Sequence, residues 1–212
     1  QKAKWLFNAA KAGHTGTLDP MATGLLLLCF GKATKFAGAL LNADKAYQAT
    51  VQLGVTTDTA DAEGRVLEFR PIDVSQAQAQ EAFARFTGEI EQVPPMYSAL
   101  KRNGKPLYEY ARQGIEVERA PRRVTIHDLR LLSWQGDRFD IEVACSKGTY
   151  VRTLAADIGA VLGCGAHLSA LRRTRIGGFD VGDACSIDQL ASLDEAARDG
   201  LLLPLGVLAG RV

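Results

Sequence analysis

A chain of 212 residues with 47% hydrophobic content is long enough for one large packed domain or two small ones, which excludes the disordered and fibrous classes. Its longest apolar run, Leu25 to Phe30, is far too short to cross a bilayer, and the N-terminus lacks the basic, apolar and small-residue order of a signal peptide, so the chain reads as cytoplasmic with no membrane partner. The formal net charge of +1 carries no global signal for nucleic acid, yet Lys101 to Arg130 holds eight Lys or Arg against four acidic residues, whereas Asp183 to Asp199 is mainly acidic.

In chain order, "QKAKWLFNAAKAG" reads as the end of an amphipathic helix stopped at Gly13, and without an initiator methionine it looks like a cut chain. "GLLLLCFG" is short and glycine-bounded, like a buried strand, and "ATKFAGALLNA" has helical spacing. "AYQATVQLG" and "RVLEFRP" are strand-like around the turn-rich "VTTDTADAEG", and "SQAQAQEAFARFTGEI" starts at a Ser cap and continues as a helix. The turn-rich, basic stretch at about 94–123 is an excursion from the core with one short helix near Leu107 to Arg112, and a candidate binding arm. "VTIHDLRLLSW" and "RFDIEVACS" alternate as strands around "QGD", "TYVRTLAADIGAVLG" is an amphipathic helix, and "AHLSALRRTRIGGF" is a strand. "SIDQLASL" makes a short capped helix, and "GLLLPLGVLAGRV" is apolar enough to dock on the core. With no repeat or linker, the expectation is one α+β domain over residues 1–212, a mixed, mainly antiparallel central sheet flanked by helices.

Few motifs carry chemistry by spacing alone. Cys29, Cys145, Cys164 and Cys185 form no CxxC pair, which suits buried reduced thiols rather than a zinc site or disulfides, so no metal is expected. "GLLLLCFGKAT" is two residues too long for a phosphate loop, "TTDTADAEG" lacks the ligand series of a calcium loop and reads as a solvated turn, and no GxSxG is present. In "AGHTGTLDPMATGLLLL", Pro20 steers Asp19 into extended backbone while Gly13, Gly16 and Gly24 let the chain bend. By spacing, "LDP" fits a plain turn as well as a loop presenting a carboxylate.

"AGHTGTLDPMATGLL", "KAYQATVQLG", "DTADAEG", "PPMYSALKRNGKPLYEYAR", "CSKGTYVRTLAADIG" and "LGCGAHLSALRRTRIG", in this order, resemble the TruB-type tRNA pseudouridine synthases from Lys11 to Gly177. The resemblance implies the pseudouridine synthase fold and a catalytic domain. The family's N-terminal strand with its "KPxGxxS"-like motif would precede Gln1, and its C-terminal PUA RNA-binding domain would follow Val212, so the chain is expected to be truncated at the N-terminus and to lack the PUA domain. The implied reaction converts uridine 55 in the T loop of tRNA into pseudouridine on a flipped-out base, with no cofactor or metal. tRNA, through its T-arm, is the expected partner, with no obligatory protein partner and a monomeric chain.

The resemblance also assigns residues. Asp19 matches the nucleophile, and Arg152 the cation that keeps it ionised, although an arginine in the first turn of an amphipathic helix would otherwise read as a surface residue. Tyr47 matches the active-site tyrosine that stacks on the base and approaches C5 with its hydroxyl. Tyr150 and Leu171 match the walls of the uridine pocket, and His14 the residue that fills the space vacated by the flipped base. Lys101, Arg102, Lys105, Arg112, Arg122, Arg123, Arg172 and Arg173 are candidate phosphate contacts. Two other readings remain open: a structured-RNA-binding folding chaperone without essential chemistry, and an aspartate-dependent N-glycosylase, which would want a second carboxylate to activate water.

Overall fold

The computed structural model describes residues 1–208. Their contacts fall into two compact units, one made of Gln1–Ala46 with the described residues from Arg172 onward and the other of Tyr47–Leu171.

The first unit opens on helix α1 (Lys2–Leu6), shorter than the sequence suggests, and continues into strand β1 (Ala12–His14). Gly13 is therefore a strand residue, not a helix stop: it pairs with Cys29, between Ala12↔Phe30 and His14↔Leu28, on the antiparallel strand β3 (Leu28–Phe30). The "GLLLL" run is not one strand. Thr23–Gly24 forms the two-residue strand β2, and Leu25 then turns into a core of Cys29, Leu40, Ile176 and Phe179. A 3-10 turn over Gly31–Phe36 leads into helix α2 (Ala37–Asn42), which supplies Leu40 to that core.

The second unit is built on strands β4 (Lys45–Leu53, entering from the first unit), β5 (Val55–Thr57), β6 (Val66–Phe69), β7 (Gly88–Gln92), β10 (Arg122–Trp134), β11 (Arg138–Cys145) and β12 (Ala166–Ile176, entered through Leu171). The order across its sheet is β12, β4, β11, β10, β7. β10 and β11 form a long antiparallel hairpin whose two register shifts bend it, and β7 pairs antiparallel with the start of β10. The alternation in "RFDIEVAC" sends Phe139, Ile141 and Val143 to one face, all fully buried, where Phe83 of helix α3 (Gln76–Ala84) meets Phe139 at 5.6 Å between ring centroids. α3 starts at the Ser75/Gln78 capping box, as the sequence indicates, but ends at Ala84. "GEIEQ" is strand β7, and Gly88 at φ +97, three residues past the Arg85 C-cap, lets the chain turn into the sheet.

Helix α5 (Val151–Val161) buries Leu154, Ala155 and Ile158. It lies so close to the following turn that a Cβ on Gly159 would sit 2.3 Å from the Ala166 amide nitrogen. The arm carries a small hairpin, β8 (Lys101–Arg102) and β9 (Lys105–Pro106), around Asn103-Gly104 at positive φ, then helix α4 (Leu107–Ala111), where the sequence places it.

From Arg172 the chain re-enters the first unit. β12 pairs in parallel with β2 and antiparallel with β13 (Phe179–Asp180), followed by α6 (Ile187–Ser192) with a Ser186/Gln189 capping box and α7 (Glu195–Asp199) capped by Asp194. The expected docking of the apolar tail holds in part. Val207 and Leu208 pack on the core, Leu201, Leu202, Leu203 and Leu205 stay exposed, and Ala209–Val212 lie outside the described residues.

Candidate functional site

In the first unit, the β1–β3 ladder closes the stem of a loop over residues 15–27, and the Thr15 amide continues it by donating to the Leu27 carbonyl at 3.2 Å. At its tip the Ala22 amide donates to the Asp19 carbonyl at 2.9 Å, a turn with Pro20 in its second position. The Asp19 side chain is half-buried, and His14 is exposed at the stem. The descending limb is fixed to β12: Thr23 and Gly24 pair with Arg172 and Arg173, and the Leu25 amide donates to the Arg173 carbonyl at 2.8 Å. Gly24, at φ +99, is obligatory here, since a Cβ would come within 2.2 Å of that carbonyl oxygen. Asp19 thus sits on a short loop held at both ends, where little entropy is left to lose when it acts.

In the second unit, the start of α5 is fixed by a side chain that the sequence reading did not single out. Gln92, at the end of β7, accepts from the Tyr150 amide at 3.0 Å and donates to the Tyr150 carbonyl at 3.3 Å. Tyr150 is the N-cap residue of α5, so this two-way bond sets the direction in which the helix leaves and, with it, the root of Arg152.

Arg152 is 3% exposed, which overturns the surface reading of an arginine at that helical position. Its Nη1 donates to the Thr59 carbonyl at 3.0 Å, its Nη2 donates to the Tyr97 carbonyl at 2.8 Å, and Oδ2 of Asp61 lies 3.5 Å from Nη1. The solvated-turn reading of "TTDTADAEG" therefore fails at its centre. Asp58 and Glu63 are exposed, but Asp61 is 3% exposed, and its Oδ1 accepts from the Thr59 hydroxyl at 2.5 Å and the Glu63 amide at 3.1 Å. A buried guanidinium is tolerated only with its charge and donors matched, and Asp61 supplies a buried carboxylate for the charge. Backbone bonds of Ala62 and Leu168 tie this turn to β12. No local pattern reveals the pair, because its members are 91 positions apart.

Tyr47, 9% exposed, shares a face of β4 with the buried Ala49, Val51 and Leu53; Leu171 is buried on β12 and Tyr150 half-buried. Of the expected site residues, His14, Asp19, Arg172 and Arg173 belong to the first unit and Tyr47, Tyr150, Arg152 and Leu171 to the second.

The arm gathers several of the expected phosphate contacts. Lys101, Arg102 and Lys105 share the small hairpin, with Lys105 over the Tyr110 ring at 4.6 Å and Arg112 over the Tyr108 ring at 5.2 Å. Arg122 is exposed at the start of β10, and Arg123 beside it reaches Glu89 at 3.3 Å and Glu91 at 3.9 Å, which offsets its charge. Arg172 is exposed, but Arg173 is 2% exposed and bonded to backbone carbonyls, so it has no surface to offer a phosphate. Cys29, Cys145 and Cys164 are buried and form no disulfide, and burial pushes the Cys29 thiol upward, whereas Cys185 is exposed. Among the described residues no helix is long and apolar enough to cross a membrane.

The model of the TruB family pseudouridylate synthase N-terminal domain matches residues 4–151, and that of the tRNA pseudouridylate synthase B C-terminal domain matches residues 152–208. The chain is 62% identical over 208 residues to tRNA pseudouridine synthase B of Azoarcus sp. (strain BH72) and 63% identical over 212 residues to that of Aromatoleum aromaticum, covering 98% and 100% of this chain and 69% of each relative. Among solved structures it resembles a chain of a Cbf5-Nop10-Gar1 complex at 34% identity and TM-score 0.65, over 84% of this chain and 44% of that one. An archaeal box H/ACA sRNP Nop10-Cbf5 complex matches at 28% identity and TM-score 0.65, over 89% and 46%. The α+β fold with its mainly antiparallel sheet is thus the pseudouridine synthase fold, and the chain belongs to the TruB family of tRNA pseudouridine synthases, isomerases that turn uridine into pseudouridine within tRNA.

Proposed function

We propose that the chain acts on uridine 55 in the T loop of tRNA, with Asp19 as nucleophile. The observation that carries this reading is the tethered loop: a turn at Asp19–Ala22, a ladder at the stem and a β12 anchor hold one carboxylate on a short, preorganised segment. The N1–C1′ bond breaks, the detached uracil turns, C5 bonds to C1′, and the proton from C5 is lost while N1 gains one, so the isomerisation consumes nothing. Asp19 adds to the substrate and leaves again. Tyr47 stacks on the base and takes the C5 proton, Arg152 supplies the cation that favours an ionised nucleophile, and Tyr150 and Leu171 wall the pocket against water. His14, exposed at the loop stem, fills the place of the flipped base. The chain works in the cytoplasm as a monomer, without a protein partner, metal or cofactor, on the T-arm of its tRNA.

The test is Asp19→Asn and Asp19→Ala assayed on an unmodified tRNA transcript, with a T-loop uridine-to-cytidine transcript as control. Both variants are expected to lose isomerisation by about 10³-fold or more while tRNA binding stays within a few-fold. Pseudouridine formed by Asp19→Asn would remove Asp19 as nucleophile. Free uracil released by the wild type would favour the glycosylase, and product in the control transcript would overturn the substrate position.

A further inference from the structure

We propose that Arg173 is a positioning residue that braces the Asp19 loop from beneath, an inference that rests on Asp19 being the reacting carboxylate. Its side chain is among the largest fully buried ones in the protein. Nε donates to the Leu25 carbonyl at 2.8 Å and Nη1 to the Thr17 carbonyl at 3.5 Å, so a single guanidinium grips the loop two residues before Asp19 and six after it. The Arg173 backbone grips the same limb through the Leu25 amide, and Gly24 packs directly on it.

Packing alone does not account for this residue. Among the described residues no carboxylate pairs with the Arg173 guanidinium, and its Nη2 is buried with no hydrogen-bond partner. A buried cation solvated only by carbonyls is costly, and an apolar side chain of similar volume would fill the space more cheaply. What an apolar side chain would not do is join the Thr17 and Leu25 carbonyls across the loop. The Thr17 bond is long and Nη2 is unspent, so the guanidinium keeps donor capacity in reserve beneath the loop.

The experiment compares Arg173→Met and Arg173→Lys with wild type in three readouts: single-turnover isomerisation at saturating unmodified tRNA, the dissociation constant for that tRNA, and amide hydrogen exchange of the free protein. A displaced nucleophile loses on the order of 10²-fold in rate, so the Met variant is expected to be about 100-fold slower with affinity within threefold and faster exchange confined to residues 15–27. The Lys variant, whose ammonium keeps the charge but not the two-point fork, is expected to fold and fall between the two, about 10-fold slower. A full rate in either variant, a loss explained by weaker tRNA binding, or faster exchange spread through the whole first unit would each overturn the brace. An active Asp19→Asn enzyme would instead remove the nucleophile assignment, while leaving the exchange result as a test of the brace by itself.

Discussion

Neighbouring arginines in "LSALRRTRIG" have opposite fates. Arg172 is exposed and Arg173 is buried, because a strand sends consecutive side chains to opposite faces. That period is present in the sequence, since Arg173 is in phase with Leu171, but charge type points the other way and makes both residues look like phosphate contacts. Asp61 was less accessible still. Turn composition makes an acidic residue look solvated, and only the fold brings Arg152 to it. Replacing Asp61 by Asn keeps an acceptor for the Thr59 hydroxyl and the Glu63 amide but takes one buried negative charge away from the Arg152 guanidinium. Breaking a buried pair from one side costs about 3 kcal/mol, so Asp61→Asn is expected to lower the unfolding free energy by roughly that amount in chemical denaturation. It should also slow isomerisation, since Arg152 loses one of the groups that orient it. A double variant, Asp61→Asn with Arg152→Met, should lose less stability than the two single changes summed, because the pair goes together.

Elements with strong local signals were legible: the capped helices at Ser75 and Ser186, the β10–β11 hairpin, α5, and the arm helix near Leu107. Those that failed were decided by tertiary pairing. α1 gives way to a strand because residues 12–14 find β3, and "GEIEQ" becomes β7 because β10 offers it a ladder from Arg122 to Ile126. Within α5, Asp157 is a carboxylate that periodicity alone would leave unremarked. Burial strips its water and pushes its pKa from 3.8 up to about 6, so between those values the native state binds more protons than the unfolded chain. Stability from this group therefore falls as pH rises from about 4 to about 6, and the cost is complete above that range. Asp157→Asn is expected to stabilise the protein at pH 7 to 8 by about 1 kcal/mol, after reducing the roughly 3 kcal/mol of a two-unit shift for partial exposure, and to have no effect below pH 4. Urea denaturation across this pH series checks it; a gain that persists at pH 4 would assign the effect to packing instead.

Across the whole molecule, the net charge of +1 hides the feature most relevant to an RNA partner, since Lys101 to Arg130 carries eight Lys or Arg against four acidic residues while Asp183 to Asp199 is mainly acidic. In sequence the arm reads only as turn-rich and basic; its Asn103-Gly104 hairpin brings Lys101, Arg102 and Lys105 onto one two-stranded tip. If these three meet phosphates, each releases counterions on binding, so log affinity for tRNA falls with log salt by about 0.7 to 0.9 per contact. The triple replacement by Ala is expected to weaken tRNA binding at low salt and to flatten that slope by about 2. Arg123 provides an internal comparison. Glu89 and Glu91 already offset its charge, so Arg123→Ala should change the slope less than Lys101→Ala, although both side chains are exposed. Binding titrations at four or five salt concentrations separate these cases. An unchanged slope in the triple variant would remove the hairpin tip from the phosphate interface and shift the electrostatic footprint to the exposed arginines Arg122 and Arg172.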